Sequence, residues 1–427
     1  MSRRRLVYSF LTVVFVLFLS TSAFAAGFAL YEGSARGNVL GAGLTASADD
    51  PSAVFYNPAG ITQLKGTQLM FGATFIYPKT DVSTRGSITG NVGAYAVTGS
   101  QEADSTTVDN WWIPPHFYLT HQLNDKWYAG LGIFSRFGLG TEFDAAWPGR
   151  YNSYYVRIRT TEINPNIAYK VNDKLSLAGG LNAMWFDLKM HQSINTAAGN
   201  VDQELKGDSW GWGFNLAIHY KPTTDWSMGI SYRSRVSQNI KEGEATYRKP
   251  ALPAGFFPNM KVEGGLHLPD EVFAGVAWNA TPTVTLGGGI YWTRWSSYDK
   301  LQFTFAAPQA PGGPRTITKT KEYEDVYRFM VGGEWKFLPN WRASVSYAYD
   351  QEPINDRTAD YLLPANDRNM FSAGLGYDYG KWTTDFSYTL ILITSRTVEA
   401  RAADGILPSE FKNGLAHLFG FSIGYKF

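Results

Sequence analysis

The chain ends Phe419-Gly420-Phe421-Ser422-Ile423-Gly424-Tyr425-Lys426-Phe427, with a large apolar residue at every second position. Side chains alternate across a strand with a period of two, so one face of this segment is greasy and the other small or polar. In water such a terminal edge would template aggregation. A closing strand of an outer-membrane barrel places the greasy face on lipid and the small face on the lumen. The ending therefore predicts an all-β, transmembrane antiparallel β-barrel.

The other end points to export. Arg3-Arg4-Arg5 is a basic n-region, Leu6 to Leu19 an apolar h-region, and Ala23-Phe24-Ala25 an A-x-A cleavage site. Residues 1–25 are predicted to be a signal peptide, with the mature chain starting near Ala26. The alternative, a retained anchor helix, needs a longer apolar stretch. No other run of roughly 18 apolar residues occurs, so helical spans are not expected. The aromatic content of 15% and the 43 glycines suit many strands and tight turns. Without the three signal arginines, Lys+Arg falls from 38 to 35 against 37 acidic residues, which gives no basic footprint for nucleic acid. Zero cysteines exclude disulfides and thiolate metal sites.

Six short polar turns recur, each with aromatic residues nearby: 123–126, 171–174, 222–225, 280–283, 338–340 and 379–381. Trp127, Trp226, Trp341 and Trp382 start the segments after four of them, while Tyr169, Tyr220, Trp278 and Trp335 close others. Aromatics at strand ends read as an interfacial girdle, and short turns as the periplasmic rim. Six turns join twelve strands. A first strand near Gln68–Tyr77 and a last near Lys412–Phe427 make fourteen, an even number as single-chain barrels require. Longer extracellular connections are expected near 78–110, 138–154, 194–208, 249–262, 306–316, 353–367 and 400–411.

Residues 26–67 precede the first strand, and 68–427 form the predicted barrel. A fourteen-strand lumen is too wide for wall side chains to fill. The early segment carries Val39, Leu40, Leu44, Val54, Phe55, Tyr56 and Ile61, too many apolar residues for a disordered tail. It is expected to fold inside the barrel as a plug, or hatch. Within it, Asn57-Pro58-Ala59 suits a rigid turn, since Pro58 fixes φ and the Asn57 amide can bond nearby backbone.

The six histidines show no metal spacing, and no G-x-S-x-G elbow or P-loop occurs. Neither catalytic residues nor a metal or cofactor are expected. Leu252, Phe256, Phe257 and Met260 stand in a predicted extracellular loop, where apolar residues usually mark a binding surface. The alternative is that such loops cover one another. Ser135-Arg136-Phe137-Gly138 interrupts the third strand, and Arg136 is costly if it faces lipid.

In Ala26-Gly27-Phe28, Asn57-Pro58-Ala59, Phe137-Gly138-Leu139-Gly140-Thr141-Glu142-Phe143, Trp210-Gly211-Trp212-Gly213-Phe214-Asn215, Tyr232-Arg233-Ser234, Leu268-Pro269-Asp270, Asp325-Val326-Tyr327-Arg328 and Gly424-Tyr425-Lys426-Phe427, the chain resembles the FadL/TodX-type family of outer-membrane transporters of long-chain fatty acids and other hydrophobic compounds. These matches run in order along nearly the whole mature chain. The resemblance implies fourteen strands with an N-terminal hatch, an apolar lumen site, and sideways exit where the third strand kinks at Ser135, Arg136, Phe137 and Gly138. It implies a basic pair for the ligand carboxylate. Lys189 lies on the strand that would carry one member, with Gln192 where arginine is expected, and Lys319 or Lys321 would supply the other.

The expected function is passive uptake of a hydrophobic small molecule across the bacterial outer membrane. A general porin, or a hydrolase embedded in the barrel, are the alternatives. The expected partners are that ligand, the lipid and lipopolysaccharide around a monomeric barrel, and the barrel-assembly machinery, reached through the C-terminal strand.

Overall fold

A computed structural model describes residues 27–91 and 94–427; the predicted signal peptide lies outside them. Fourteen wall strands close on themselves, several in two pieces: β1 (Thr67–Thr89), β2 (Ala96–Thr106, Pro115–Gln122), β3 (Trp127–Phe134, Gly138–Glu142), β4 (Tyr155–Lys170), β5 (Leu175–Thr196), β6 (Gly199–Tyr220) and β7 (Trp226–Arg233, Val236–Arg248). The second half comprises β8 (Met260–Leu268, Glu271–Thr281), β9 (Val284–Thr293, Lys300–Phe305), β10 (Thr316–Thr320, Val326–Leu338), β11 (Trp341–Asp350), β12 (Arg368–Tyr379), β13 (Trp382–Ile393, Arg396–Val398) and β14 (Ser409–Lys426). Each strand pairs antiparallel with the next. β14 returns to β1 from Gln68↔Lys426 to Thr84↔Ser409, so the sheet closes on itself.

Alternation sets the two faces. On β6, Trp210, Trp212, Phe214, Leu216 and Ile218 are exposed outward, while Asn215, Ala217 and His219 are buried inward. All six short turns fall between strands as expected. Two connections do not. Residues 78–110 and 194–208 are not long loops, because β1 runs to Thr89 and β2 restarts at Ala96, and β5 and β6 pair as far as Thr196↔Gly199. Their polar composition reads as loop, but it belongs to hairpins standing beyond the aromatic girdle, where outward residues meet water and headgroups.

The lumen holds the plug. Helix α1 (Ala35–Ser47) is N-capped by Ser34, whose Oγ accepts from the Gly37 N–H, and it bends at Gly41. A short helix (Ala53–Tyr56) and a 3-10 turn (Pro58–Gln63) follow. Wall glycines let the plug backbone touch the barrel. A Cβ at Gly229 would lie 2.0 Å from the Thr45 carbonyl oxygen, and one at Gly275 would lie 1.8 Å from that of Ala42. Asn57 fastens the contact: its Oδ1 accepts from the Ala59 N–H at 3.2 Å, and its Nδ2 donates to Thr45 O at 2.8 Å and to Ile218 O of β6 at 3.0 Å. At the periplasmic side, Arg36 pairs with Asp49 at 2.6 Å and with Glu334 of β10 at 2.8 Å.

Candidate functional site: a cavity behind a broken seam

β2 and β3 pair from Gln122↔Tyr128 to Phe117↔Ile133, and there the ladder stops. β3 leaves the wall over Ser135–Phe137. When it resumes, from Gly138↔Arg159 to Glu142↔Tyr155, its partner is β4. Above the break, a backbone bond crosses back to the link between the two pieces of β2, from the Val108 N–H to Glu142 O at 2.7 Å. Between these points the Trp112 ring covers the wall at Gly140, whose added Cβ would meet it at 2.0 Å.

Backbone groups freed in this way need other partners. Thr160 supplies some: its Oγ1 accepts from the Phe137 N–H at 3.1 Å and donates to Phe137 O at 2.7 Å, while Ser135 Oγ donates to Thr160 O at 2.6 Å. The plug supplies two more. Leu30 N–H donates to Arg136 O at 2.7 Å, and Gly138 N–H donates to Phe28 O at 3.0 Å. Ala29 thus lies opposite Phe137 as a one-rung sheet.

Arg136 points inward and is fully buried, as the cost of facing lipid demands. Its Nε donates to Glu271 at 2.9 Å and its Nη1 to Glu162 at 3.1 Å. Arg233 shares Glu162 at 3.2 Å and donates to the Val54 and Phe55 carbonyls of the plug, each at 2.9 Å. Two guanidinium groups thereby contact two carboxylates directly, and the set ties kink to plug.

Behind the seam lies a cavity of about 470 Å³, within the usual range for small-molecule sites of about 300–1,000 Å³. Trp112, Ile113, Ser135 and Gly138 line it at the seam, Phe28 and Leu30 from the plug, and Ile391 and Leu418 from the far wall. Leu363 and Pro364 enter from the extracellular loop after β11. That loop, with the buried Ile406 and Leu407 of the loop before β14, turns its apolar residues inward.

The residues singled out in the sequence fall in four places. Asn57, Pro58 and Ala59 sit at the plug–wall contact, and Ser135, Arg136, Phe137 and Gly138 at the break. In the loop after β7, Phe257 is buried against Ile194 and Val201 of the β5–β6 hairpin, with Leu252 and Phe256 partly buried around it. Met260 opens β8 half-buried. Phe257 is therefore not part of an exposed patch: two extracellular elements cover each other there.

The lysines separate. Lys189 corrects the expectation of a lumen contact. It shares the outward parity of Leu177, Leu181 and Trp185, and pairs with Glu204 at 3.0 Å on the outer wall. Gln192 has the inward parity, and Lys319 Nζ donates to its Oε1 at 3.0 Å. Burial pushes the Lys319 ammonium in its extracellular hairpin down to about 8. Lys321 is buried and ion-paired with Asp360. None of the three lines the large cavity. Of the charged residues that do, Arg328 of β10, Asp350 of β11 and Arg368 of β12 stand opposite one another in register, with Glu32, Lys79, Glu142 and Arg159 also in the lining; none of them was singled out as a site. The signal of the three in register was a charge at inward parity, as at Arg328 between outward Tyr327 and Phe329.

The profile of the outer membrane protein transport protein family (OMPP1/FadL/TodX) matches residues 16–427. The chain belongs to the FadL/TodX family. It is 26% identical to the long-chain fatty acid transport protein of Escherichia coli strain K12 over 470 aligned positions that cover all of both chains. A Pseudomonas aeruginosa FadL homologue of known structure superposes with a TM-score of 0.77 at 19% identity, covering 95% of this chain and 99% of that one. The Pseudomonas putida toluene transporter TodX gives a TM-score of 0.68 at 15% identity, covering 95% and 100%. At these identities the two structures establish the shared fold, and the family assignment rests on the profile. FadL/TodX-family membership makes the barrel an outer-membrane protein of the transport class.

Proposed function

We propose that this protein carries hydrophobic or amphiphilic small molecules passively across the outer membrane, from an extracellular entry to the cavity and then sideways through the β2–β3 seam. The fatty-acid and toluene transporters among its relatives support this class of cargo. The observation that carries the sideways route is one of continuity. A single cavity runs from the lumen to the stretch where β2 and β3 lack a ladder, while the plug fills the axial path. Each methylene removed from water contributes about 0.8 kcal/mol, so a greasy cavity can collect a sparingly soluble ligand. The β10–β11 region and the plug carry no nucleotide-binding motif, and the ligand gradient is the driving force in this reading.

Purified protein in liposomes tests it. Dodecanoate, dodecane and toluene are offered singly, without any imposed ion gradient. Saturable accumulation of at least one, with no leak of sugars, is the expected result. Steady large conductance with sugar permeation would instead indicate a general porin.

A further inference from the structure

We propose that Arg235 and Arg294, on the outer wall, form a binding site for a phosphate group of lipopolysaccharide in the outer leaflet. The site faces the lipid around the barrel, away from the cavity and the plug, and it does not depend on the uptake reading.

Three neighbouring strands break at one level: β7 between Arg233 and Val236, β8 between Leu268 and Glu271, and β9 after Thr293. Arg233, Glu271 and Thr293 stand in register as the last inward row below the break. On β7 the break changes parity. Tyr232 shares the outward parity of Met228 and Ile230, so Arg235, three residues on, would point inward in an unbroken strand. Instead its side chain is 49% exposed. Arg294 lies two residues beyond the outward Trp292 of β9 and is 46% exposed.

Both arginines lean on one carboxylate. Asp270 Oδ2 lies 3.5 Å from Arg235 Nε and 3.9 Å from Arg294 Nη1. Its Oδ1 accepts from the Tyr232 hydroxyl at 2.7 Å and from the Arg235 N–H at 3.1 Å. The Arg294 N–H donates to Asp270 O at 2.9 Å, so the two arginines are held side by side across the break. Asp325, just before the second piece of β10, accepts from the Ser296 N–H at 3.0 Å. Among the described residues, Asp270 is the one carboxylate within ion-pair distance of either guanidinium, and neither guanidinium donates a hydrogen bond. Their donor forks remain open to an acceptor from outside the chain.

The depth in the membrane decides which acceptor. Tyr232, Val272, Trp292 and Tyr327 form one outward row in register across β7 to β10, directly below the arginines. Tyr and Trp collect where acyl chains meet head groups. Ile230, Ile290 and Phe329 continue that face downward, all exposed. These strands end at the short-turn rim below, so the aromatic row is the extracellular one and the arginines stand among the head groups of the outer leaflet. Lipopolysaccharide carries phosphates there, and an arginine fork binds phosphate through paired N–H···O bonds. Lys189 and Lys206, also outside, are already paired with Glu204 and Glu244, each at 3.0 Å.

For the test, full-length protein in nonionic detergent is titrated with diphosphoryl lipid A, its dephosphorylated form and phosphatidylglycerol, and bound lipid is counted by native mass spectrometry. The wild type should hold one diphosphoryl lipid A about tenfold or more tightly than the dephosphorylated form, as charge-assisted hydrogen bonds do. Arg235→Gln with Arg294→Gln should bring that ratio near unity without changing affinity for the dephosphorylated lipid. Arg294→Gln alone, which keeps the Asp270–Arg235 contact and serves where the double variant does not fold, should lower the ratio severalfold. Arg235→Lys with Arg294→Lys should recover part of it, and Lys189→Gln with Lys206→Gln should leave it as it is. A wild-type ratio in the arginine-to-glutamine variants would overturn the site, as would an equal loss in Lys189→Gln with Lys206→Gln. Phosphatidylglycerol held as tightly as diphosphoryl lipid A would overturn the assignment to lipopolysaccharide.

Discussion

Two seams of the same wall differ sharply. β5 and β6 pair without a bulge from Leu175↔Tyr220 to Thr196↔Gly199, carrying the barrel's outward Trp210, Trp212 and Phe214 across the membrane. β2 and β3 stop at Phe117↔Ile133, and the wall above is closed by a tryptophan ring, a threonine hydroxyl and the first residues of the plug. In lipid every unpaired backbone group costs several kcal/mol, on the order of a lost hydrogen bond or more. An interrupted seam survives only if other groups take over the bonds. Here those groups belong partly to the plug, so in the proposed sideways route the opening of the wall is coupled to the position of the plug.

The largest effect is expected at Arg136. Removing it strips Glu271 of its hydrogen-bonded partner and leaves Glu162 to Arg233 alone. Breaking a buried pair costs about 3–5 kcal/mol. Arg136→Ala should lower the temperature at which the barrel loses its compact form on gels and should abolish uptake. A matching substitution on the regular seam, Leu181→Ala, should do neither.

Asn57→Ala comes next. It leaves the Thr45 carbonyl without its Asn57 donor, at about 1–3 kcal/mol for a buried unpaired group, and cuts the tie to Ile218 O, which keeps its place in the β5–β6–β7 ladder. The barrel should stay heat-resistant while transport falls, because the loss is confined to the plug–wall contact. Wild-type uptake at normal surface expression would separate the plug from the seam.

A pH series tests the lysine in the extracellular hairpin. The folded Lys319 holds its proton only to about 8, below the usual lysine value, so native stability gains as pH rises from there toward the unfolded pKa, and the charge is lost over the same window. Anion binding that depends on Lys319 should fade above pH 8 and lose its pH dependence in Lys319→Gln. Anion binding that keeps the same pH profile in Lys319→Gln would take Lys319 out of ligand recognition.

The smallest effect is expected in the loop after β7. Phe256→Ser with Phe257→Ser should weaken uptake modestly at low ligand concentration and leave barrel stability unchanged, measured as initial rate against concentration. An effect equal to that of Asn57→Ala would move entry selection from the seam and plug to this loop.

The regular seam was legible in the sequence because lipid imposes one rule on it: outward residues on β6 are aromatic or aliphatic, and short turns separate strands. The broken seam was legible as a place. Gly138 and Gly140 interrupt a strand, and Arg136 has no business facing lipid. Its partners were not, because Glu162, Glu271 and Arg233 come from three other strands. Lys189 went astray for a physical reason. In the upper half of β5 the inward residues Met184, Phe186, Leu188 and Met190 are as apolar as the lipid-facing ones, so composition alone does not tell the faces apart. Counting parity up from the lipid-facing Leu177 and Leu181 places Lys189 outside.

The central claim, that ligand passes where plug and kink share backbone bonds, is tested most directly by locking that contact. Ala29 and Phe137 form a non-hydrogen-bonded antiparallel pair, whose Cα separation of about 4.5 Å suits a disulfide, and the chain has no cysteine of its own. In Ala29→Cys with Phe137→Cys, oxidation should stop uptake of dodecanoate into proteoliposomes, and reductant should restore the rate. Equal uptake in the oxidised and reduced states would contradict the sideways route and put passage along the barrel axis.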